Sequence, residues 1–374
     1  MVIASSQEQP LLSTYCGVIT VDVGILAIFQ NYLGRFKDAE VIANEMRIAE
    51  QIEGLGFNKY WAAEHHFTDY SFSPDNLQWL SWLAGRTSTL KLCTGAVIVP
   101  WNNPLRVAEK FMLLDHMSKG RAVLGLGRGL SRHEYTHFGL DMNDARARFD
   151  EGAKMILDAL KTGSIEGNGP QFPQIKTELR PRPRSGVDGR FYCVGMSSDS
   201  VDKTAELGAT LMTFSQKPWE MYVEDTLKVY QKAFRNYHGH EAPPPLTGDL
   251  MFCHANADKA KEMAMNYMSN YFLTIVNHYE FMGDHFKKIK GYDHYATSSE
   301  LFKAVGMEIA AQSYCEVQTW GTPDMILKKL EARKELMGDF ELNVTAYYGG
   351  MSVAEAESSL KLFAREVMPA VQEW

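Results

Sequence analysis

The 374-residue chain is 45% apolar and 22% charged, which supplies ample material for a core and excludes a disordered protein. Its formal net charge of -8 excludes nucleic acid and anionic membrane as expected partners, since both call for a basic face. No apolar run reaches the length of a membrane span, and residues 1–14 lack the basic start and apolar middle of a signal peptide, so a cytoplasmic protein is expected.

In chain order, residues 1–14 are polar and patternless and are expected to form a loose N-terminal arm. A first strand is predicted at Cys16–Val23. A helix follows over Asp38–Leu55, with Ile42, Met46, Ala49 and Ile52 near helical spacing and Gly54 and Gly56 as its stop. Strand two is Lys59–Ala63. Ser73-Pro74-Asp75 supplies a capping serine and a first-turn proline for helix two, which carries Leu77, Leu80 and Ala84 on one face. Strand three is Leu92–Val99. Asn103-Pro104 repeats the capping device before helix three, with Val107, Phe111 and Leu114 facing inward, and strand four is Arg121–Gly127.

A polar loop, Ser131–Asn143, precedes a helix through Phe149, Ala153, Ile156 and Leu160. Ser164–Gly189 is dense in Gly and Pro and long for a helix-to-strand connection, so it is expected to be an insertion. Strand five is Arg190–Gly195, a short helix spans Val201–Leu207, and strand six is Leu211–Ser215. After a helix over Trp219–Tyr237 comes strand seven, Leu246–Cys253. About 85 residues separate it from strand eight, Glu341–Tyr348, far more than one crossover needs. Asp258–Phe281 is predicted helical, and residues 283–318 are a candidate lid over the barrel mouth. Thr322-Pro323 and Ser352 each start a further helix.

Eight strands, each followed by a helix, match an α/β architecture of the (β/α)8 TIM-barrel type, with insertions after strand four and between strands seven and eight. Residues 1–374 are therefore expected to form a single domain. A doubly wound sheet is the alternative, but Gly125, Gly127 and Gly129 do not make G-x-G-x-x-G and no helix opens directly after them. The five cysteines, Cys16, Cys93, Cys193, Cys253 and Cys315, are odd in number and widely spaced, which points to small core residues and not to a disulfide or zinc framework.

Two strand ends stand out. Glu64-His65-His66 closes strand two, where barrel enzymes gather catalytic groups, and His65 is the candidate acid/base. Metal binding by the triplet is not expected, because adjacent strand residues point to opposite faces and no H-E-x-x-H spacing exists. Strand four ends in Gly127-Arg128-Gly129, where glycines let an anion approach the backbone and a guanidinium grips phosphate oxygens in pairs. Ser197 and Ser200 start a helix, which both caps it and makes an anion site.

Ala63-Glu64-His65-His66-Phe67-Thr68, Asn103-Pro104-Leu105-Arg106-Val107-Ala108-Glu109, Leu114-Asp115-His116-Met117-Ser118-Lys119-Gly120-Arg121 and Gly125-Leu-Gly-Arg-Gly129 together resemble the bacterial luciferase family of flavin-dependent monooxygenases. The likeness resumes at Gly321-Thr322-Pro323 and Val367-Met368-Pro369, and so covers most of the chain. The family's fold is the (β/α)8 barrel. The resemblance implies reduced FMN supplied by a separate flavin reductase, activation of O2 as a flavin hydroperoxide, and an apolar aldehyde, ketone or aromatic substrate.

The resemblance further implies that Arg128 meets the FMN phosphate with Ser197 and Ser200, that Met196 lies against the flavin, and that Thr94-Gly95-Ala96 carries a non-proline cis peptide under the ring. Glu64 and Leu130 complete the implied cofactor-binding set, and His65 matches the catalytic histidine. Gly127 stands where light-emitting members carry a reactive cysteine, and Ser131 replaces a tyrosine, so both positions depart from the pattern tied to light emission and aldehyde specificity. A deazaflavin-dependent hydride-transfer enzyme and a non-catalytic partner subunit are the alternatives. A homodimer, or a heterodimer with a related subunit, is expected through helices two and three, where Trp79, Trp82 and Met112 fall outside the predicted inward faces.

Overall fold

The computed structural model describes residues 21–290 and 292–374. Among them eight parallel strands form the barrel: β1 (Val23–Ala27), β2 (Lys59–Ala62), β3 (Lys91–Thr94), β4 (Ala122–Gly127), β5 (Phe191–Val194), β6 (Thr210–Phe214), β7 (Leu246–Cys253) and β8 (Glu341–Thr345). Each pairs with its successor, and β8 returns to β1 with Leu342 beside Val23, so the ring is closed. Every residue of β1, β4 and β7 is buried, which explains the unbroken apolar runs of β1 and β4: side chains fill the barrel on one face and helices cover the other.

The N-terminal end of the barrel contains a charged knot. Lys59 Nζ donates to Tyr192 Oη at 2.8 Å and to Glu341 Oε2 at 2.5 Å, and lies 2.8 Å from Asp22 Oδ2, tying β2, β5 and β8 together. Burial disfavours its charge, but Glu341, Tyr192 and Asp22 outweigh that penalty and raise the lysine above its ordinary value. Cys93, Cys193, Cys253 and Cys315 are free and buried, as expected of core residues. Cys16, the N-terminal arm and the start of the predicted first strand lie outside the described residues.

Several local expectations change. Among the described residues the first strand is Val23–Ala27, meeting the predicted Cys16–Val23 at its last residue. Strand three is interrupted after Thr94 and resumes as Val97–Ile98, which pairs with the end of β4. Asp75, not Ser73, caps helix two, accepting from Gln78 N at 3.0 Å. On the helix Asp38–Ile52 the buried stripe is Val41, Glu45, Ile48, Ala49 and Ile52, rotated from the predicted one because it includes a glutamate. Met112 is 1% exposed, packed beside Val107 and Phe111, so it does not belong to an outer face of its helix.

The connections also hold more structure than expected. Ser131 caps a short helix, Arg132–His137, inside the predicted polar loop. Ser164–Gly167 and Gln174–Glu178 pair as an antiparallel ribbon. Between β7 and β8 lie the helix Ala257–His278, a turn at His285–Lys288, and the helices Asp293–Val305 and Met307–Glu316. Thr319–Gly321 then pairs along the upper half of β7. Among the described residues no helix is long and apolar enough to cross a membrane.

Candidate active site

The C-terminal ends of the strands open into one cavity, lined by His65 after β2, Gly95 and Ala96 after β3, Gly127 to Leu130 at the end of β4, and Met196 and Ser200 after β5. Tyr292, Tyr295 and Tyr314 reach it from the long β7–β8 connection. The two strand ends and the helix start singled out in the sequence therefore meet at one site, and residues of the candidate lid line one side of it.

His65 is held from below by a residue that the sequence did not mark. The capped start of the helix Arg132–His137 places Glu134 so that its Oε1 lies 3.1 Å from His65 Nδ1 and accepts from His66 N at 2.8 Å. Burial raises the Glu134 carboxyl, but the His65 charge and hydrogen bond and the nearby His278 outweigh it and hold it below its ordinary value. In the neutral ring the accepting carboxylate places the proton on His65 Nδ1 and leaves Nε2 as a lone-pair nitrogen.

His278 completes this cluster from the end of its long helix. Its Nδ1 lies 3.1 Å from Thr68 Oγ1, its Nε2 lies 3.9 Å from Glu134 Oε2, and its ring stacks on Tyr70 with centroids 4.4 Å apart. Burial, reinforced by His65, pushes its pKa down to about 3, so it is neutral at physiological pH. His65, Glu134 and His278 each offer one ligand atom within 4.8 Å of the others, a constellation different from the Glu64-His65-His66 triplet weighed in the sequence.

Glu64 turns away from the cavity. Its carboxylate accepts from Trp101 Nε1 at 2.6 Å, Asn102 Nδ2 at 2.8 Å and Ile98 N at 3.1 Å, pinning the turn Val99–Trp101. Thr94 is likewise internal: its Oγ1 donates to Gly125 O at 2.9 Å and accepts from Gly125 N at 2.7 Å, bridging β3 to β4. That approach requires glycine, because a Cβ at Gly125 would sit 2.1 Å from Thr94 O. The Gly95–Ala96 peptide is cis, where the resemblance placed it, and Asn76 Nδ2 donates to Ala96 O at 3.1 Å.

Around Arg128 the backbone is clamped. Tyr135 Oη donates to Arg128 O at 2.5 Å, Tyr292 Oη donates to Gly129 O at 3.0 Å, and the guanidinium lies 4.3 Å from the Tyr292 ring centre. Ser197 and Ser200 form a reciprocal cap on the helix Ser198–Glu206, in which Ser200 Oγ accepts from Met196 N and Ser197 N. Ser197 is buried behind this cap while Ser200 faces the cavity. Arg146, which the sequence did not single out, donates to Asp199 O at 3.3 Å at the same helix start.

A family model described as "Luciferase-like monooxygenase" matches residues 21–339. The chain belongs to the luciferase-like monooxygenase family. Within it, the chain is 28% identical over 354 residues to the alkanal monooxygenase alpha chain of Photorhabdus luminescens, covering 91% of this chain and 94% of that one. Monooxygenase RslO1 from Streptomyces bottropensis superposes with a TM-score of 0.76 at 22% identity, covering 93% and 99% of the two chains. The oxygenating component of 3,6-diketocamphane monooxygenase from Pseudomonas putida, solved with FMN, gives 0.70 at 16% identity over 94% and 98%. The coenzyme F420 dependent tetrahydromethanopterin reductase from Methanopyrus kandleri gives 0.66 at 18% identity over 94% and 99%. At these identities the structures establish the shared barrel alone.

Proposed function

We propose that the chain is the oxygenase of a two-component system, binding reduced FMN delivered by a separate flavin reductase and oxidising an apolar aldehyde, ketone or aromatic substrate with O2. The observation that carries this reading is a single cavity reached both by a cationic, helix-capped end and by a carboxylate-held histidine. Its donor set suits the cofactor: Arg128, Ser200 and the helix start beside Arg146 would hold a phosphate, with Ser197 supporting Ser200 from behind. Leu26, Ile28, Ala96, Ile98, Leu130, Val194 and Met196 offer apolar surface to a flat ring system, with Gly95 allowing close approach.

Bound reduced FMN would supply the electrons that activate O2. The chain's own work is to orient, to exclude water and to manage a proton. His65 lines the cavity, and Glu134 both favours the tautomer that leaves Nε2 its lone pair and stabilises the ring when it gains charge. Glu64 and Thr94 would act only by holding the walls in place.

The likeness to the FMN-bound enzyme and to the F420 enzyme leaves a deazaflavin-dependent hydride transfer as the second reading. Oxygen uptake with a flavin reductase, NADH and FMN, screened over aldehydes, ketones and aromatics, separates the two. A substrate-dependent increment supports oxygenation. No increment, together with hydride transfer to F420, overturns it.

We also read the chain as one catalytic domain that pairs with itself or with a related subunit. Leu113 and Met117 are 51% and 49% exposed on the helix Pro104–Met117, and Trp79 and Trp82 on the neighbouring helix are half-buried. Light scattering at micromolar concentration should give twice the chain mass for self-pairing, and a monomer mass would rule out the homodimer.

A further inference from the structure

Beside His65 the cavity wall is built from four tyrosines drawn from three separate parts of the chain. Tyr70 follows β2, Tyr271 and Tyr279 lie on and just past the helix Ala257–His278, and Tyr314 comes from Met307–Glu316. Their faces meet at several angles: the Tyr70 centroid is 5.1 Å from the His65 ring at 79°, 5.9 Å from Tyr271 at 35° and 5.6 Å from Tyr279 at 68°.

Two hydroxyls of this wall share one hydrogen bond: Tyr70 Oη and Tyr271 Oη are 3.1 Å apart. Burial raises both phenols, and that of Tyr279 beside them, well above their ordinary value, so each keeps its proton. The Tyr70–Tyr271 pair carries two protons and the bond between them consumes one. One O–H is therefore left over, whichever way that bond runs.

We propose that this wall selects a planar aromatic substrate bearing a phenolic or carbonyl oxygen, in preference to a linear alkyl aldehyde. The proposal rests on the oxygenase reading and names its substrate class. An aromatic ring gains edge-to-face and stacking geometry on the tyrosines that an alkyl chain cannot, worth about two- to tenfold in affinity per well-placed ring. Its oxygen accepts the spare O–H, which a bare hydrocarbon would leave buried and unbonded.

The test is equilibrium binding to the full chain, with and without saturating FMN, using 1-naphthol, naphthalene and decanal as probes. The expected order is 1-naphthol at least about tenfold tighter than either of the others. The triple variant Tyr70→Phe, Tyr271→Phe, Tyr279→Phe keeps the rings and removes the hydroxyls. It should lose the preference for naphthol over naphthalene while binding naphthalene unchanged. Decanal binding as tightly as naphthol overturns the proposal, and this readout stands even if the triple variant does not fold. A folded triple variant that keeps the naphthol preference also overturns it. Naphthol binding as expected without any substrate-dependent oxygen uptake would sink the oxygenase reading and leave the wall's selectivity standing, whereas uptake driven by decanal alone would do the reverse.

Discussion

His65 Nδ1 and Glu134 Oε1 lie 3.1 Å apart, joining the end of β2 to a short helix that follows β4. Since the carboxylate holds Nδ1 and so fixes the ring's orientation and tautomer, Glu134→Gln should permit the opposite ring orientation and lower turnover by about 10- to 100-fold, the scale seen when a histidine loses its orienting partner. Reduced-FMN affinity should hold. Steady-state kinetics beside a flavin titration checks this, and a parallel loss of both would mean that Glu134 only supports the fold.

His65 itself separates an oxygenase from a flavin carrier. His65→Ala should leave reduced-FMN binding nearly intact while slowing product formation by roughly 10² to 10⁴. Reductant should still be consumed, with oxygen leaving as H2O2. Full coupling in the variant would show that this histidine is a structural strand end.

Thr94 was expected at the cofactor, and its hydroxyl spans β3 and β4. Thr94→Val keeps the shape but strands the Gly125 N–H and C=O contacts in the core, costing about 1–3 kcal/mol. Thermal unfolding should show the loss, with flavin affinity in the folded variant close to that of the parent. A large drop in affinity with no change in Tm would restore Thr94 to the cofactor site.

Glu45 is buried on the inner face of its helix, where it accepts from Phe29 N at 3.1 Å. Burial pushes its pKa up to about 8, from an ordinary 4.5. Between those values the folded chain holds a proton that the unfolded chain has lost, so this group's contribution to stability falls as pH rises from about 4.5 to 8. Glu45→Gln keeps the acceptor and removes the titration. The Tm advantage of the variant should therefore grow between pH 5 and pH 8, and a constant difference would count against a titrating Glu45.

What the sequence made legible follows from the range of the interactions involved. Apolar runs such as Ala122–Gly127 and caps such as Asn103-Pro104 are local, and they gave the barrel and most helix starts. The buried face of Asp38–Ile52 was misjudged because its stripe includes Glu45, whose charge hides it from an apolar pattern. His65 was visible as a strand end. Its partners were not, since Glu134 lies 69 residues away and His278 reaches Thr68 across 210. Ser131-x-x-Glu134 did contain a helix-start signal inside what passed for a polar loop. The tyrosine wall had none, because its members converge only once the β7–β8 connection folds over the barrel mouth.

Anaerobic titration with reduced FMN, on the parent chain and on Arg128→Ala, tests the central claim most directly because it needs no knowledge of the substrate. Arg128 follows β4 between two glycines and borders the cavity, where its guanidinium would meet the phosphate. Removing one charge-assisted contact worth about 1.5–3 kcal/mol should weaken binding roughly 10- to 100-fold in a variant of unchanged fold. Tight binding of reduced FMN that falls by that factor is the predicted result. Failure of the parent chain to bind reduced FMN, or equal affinity in the folded variant, would contradict it.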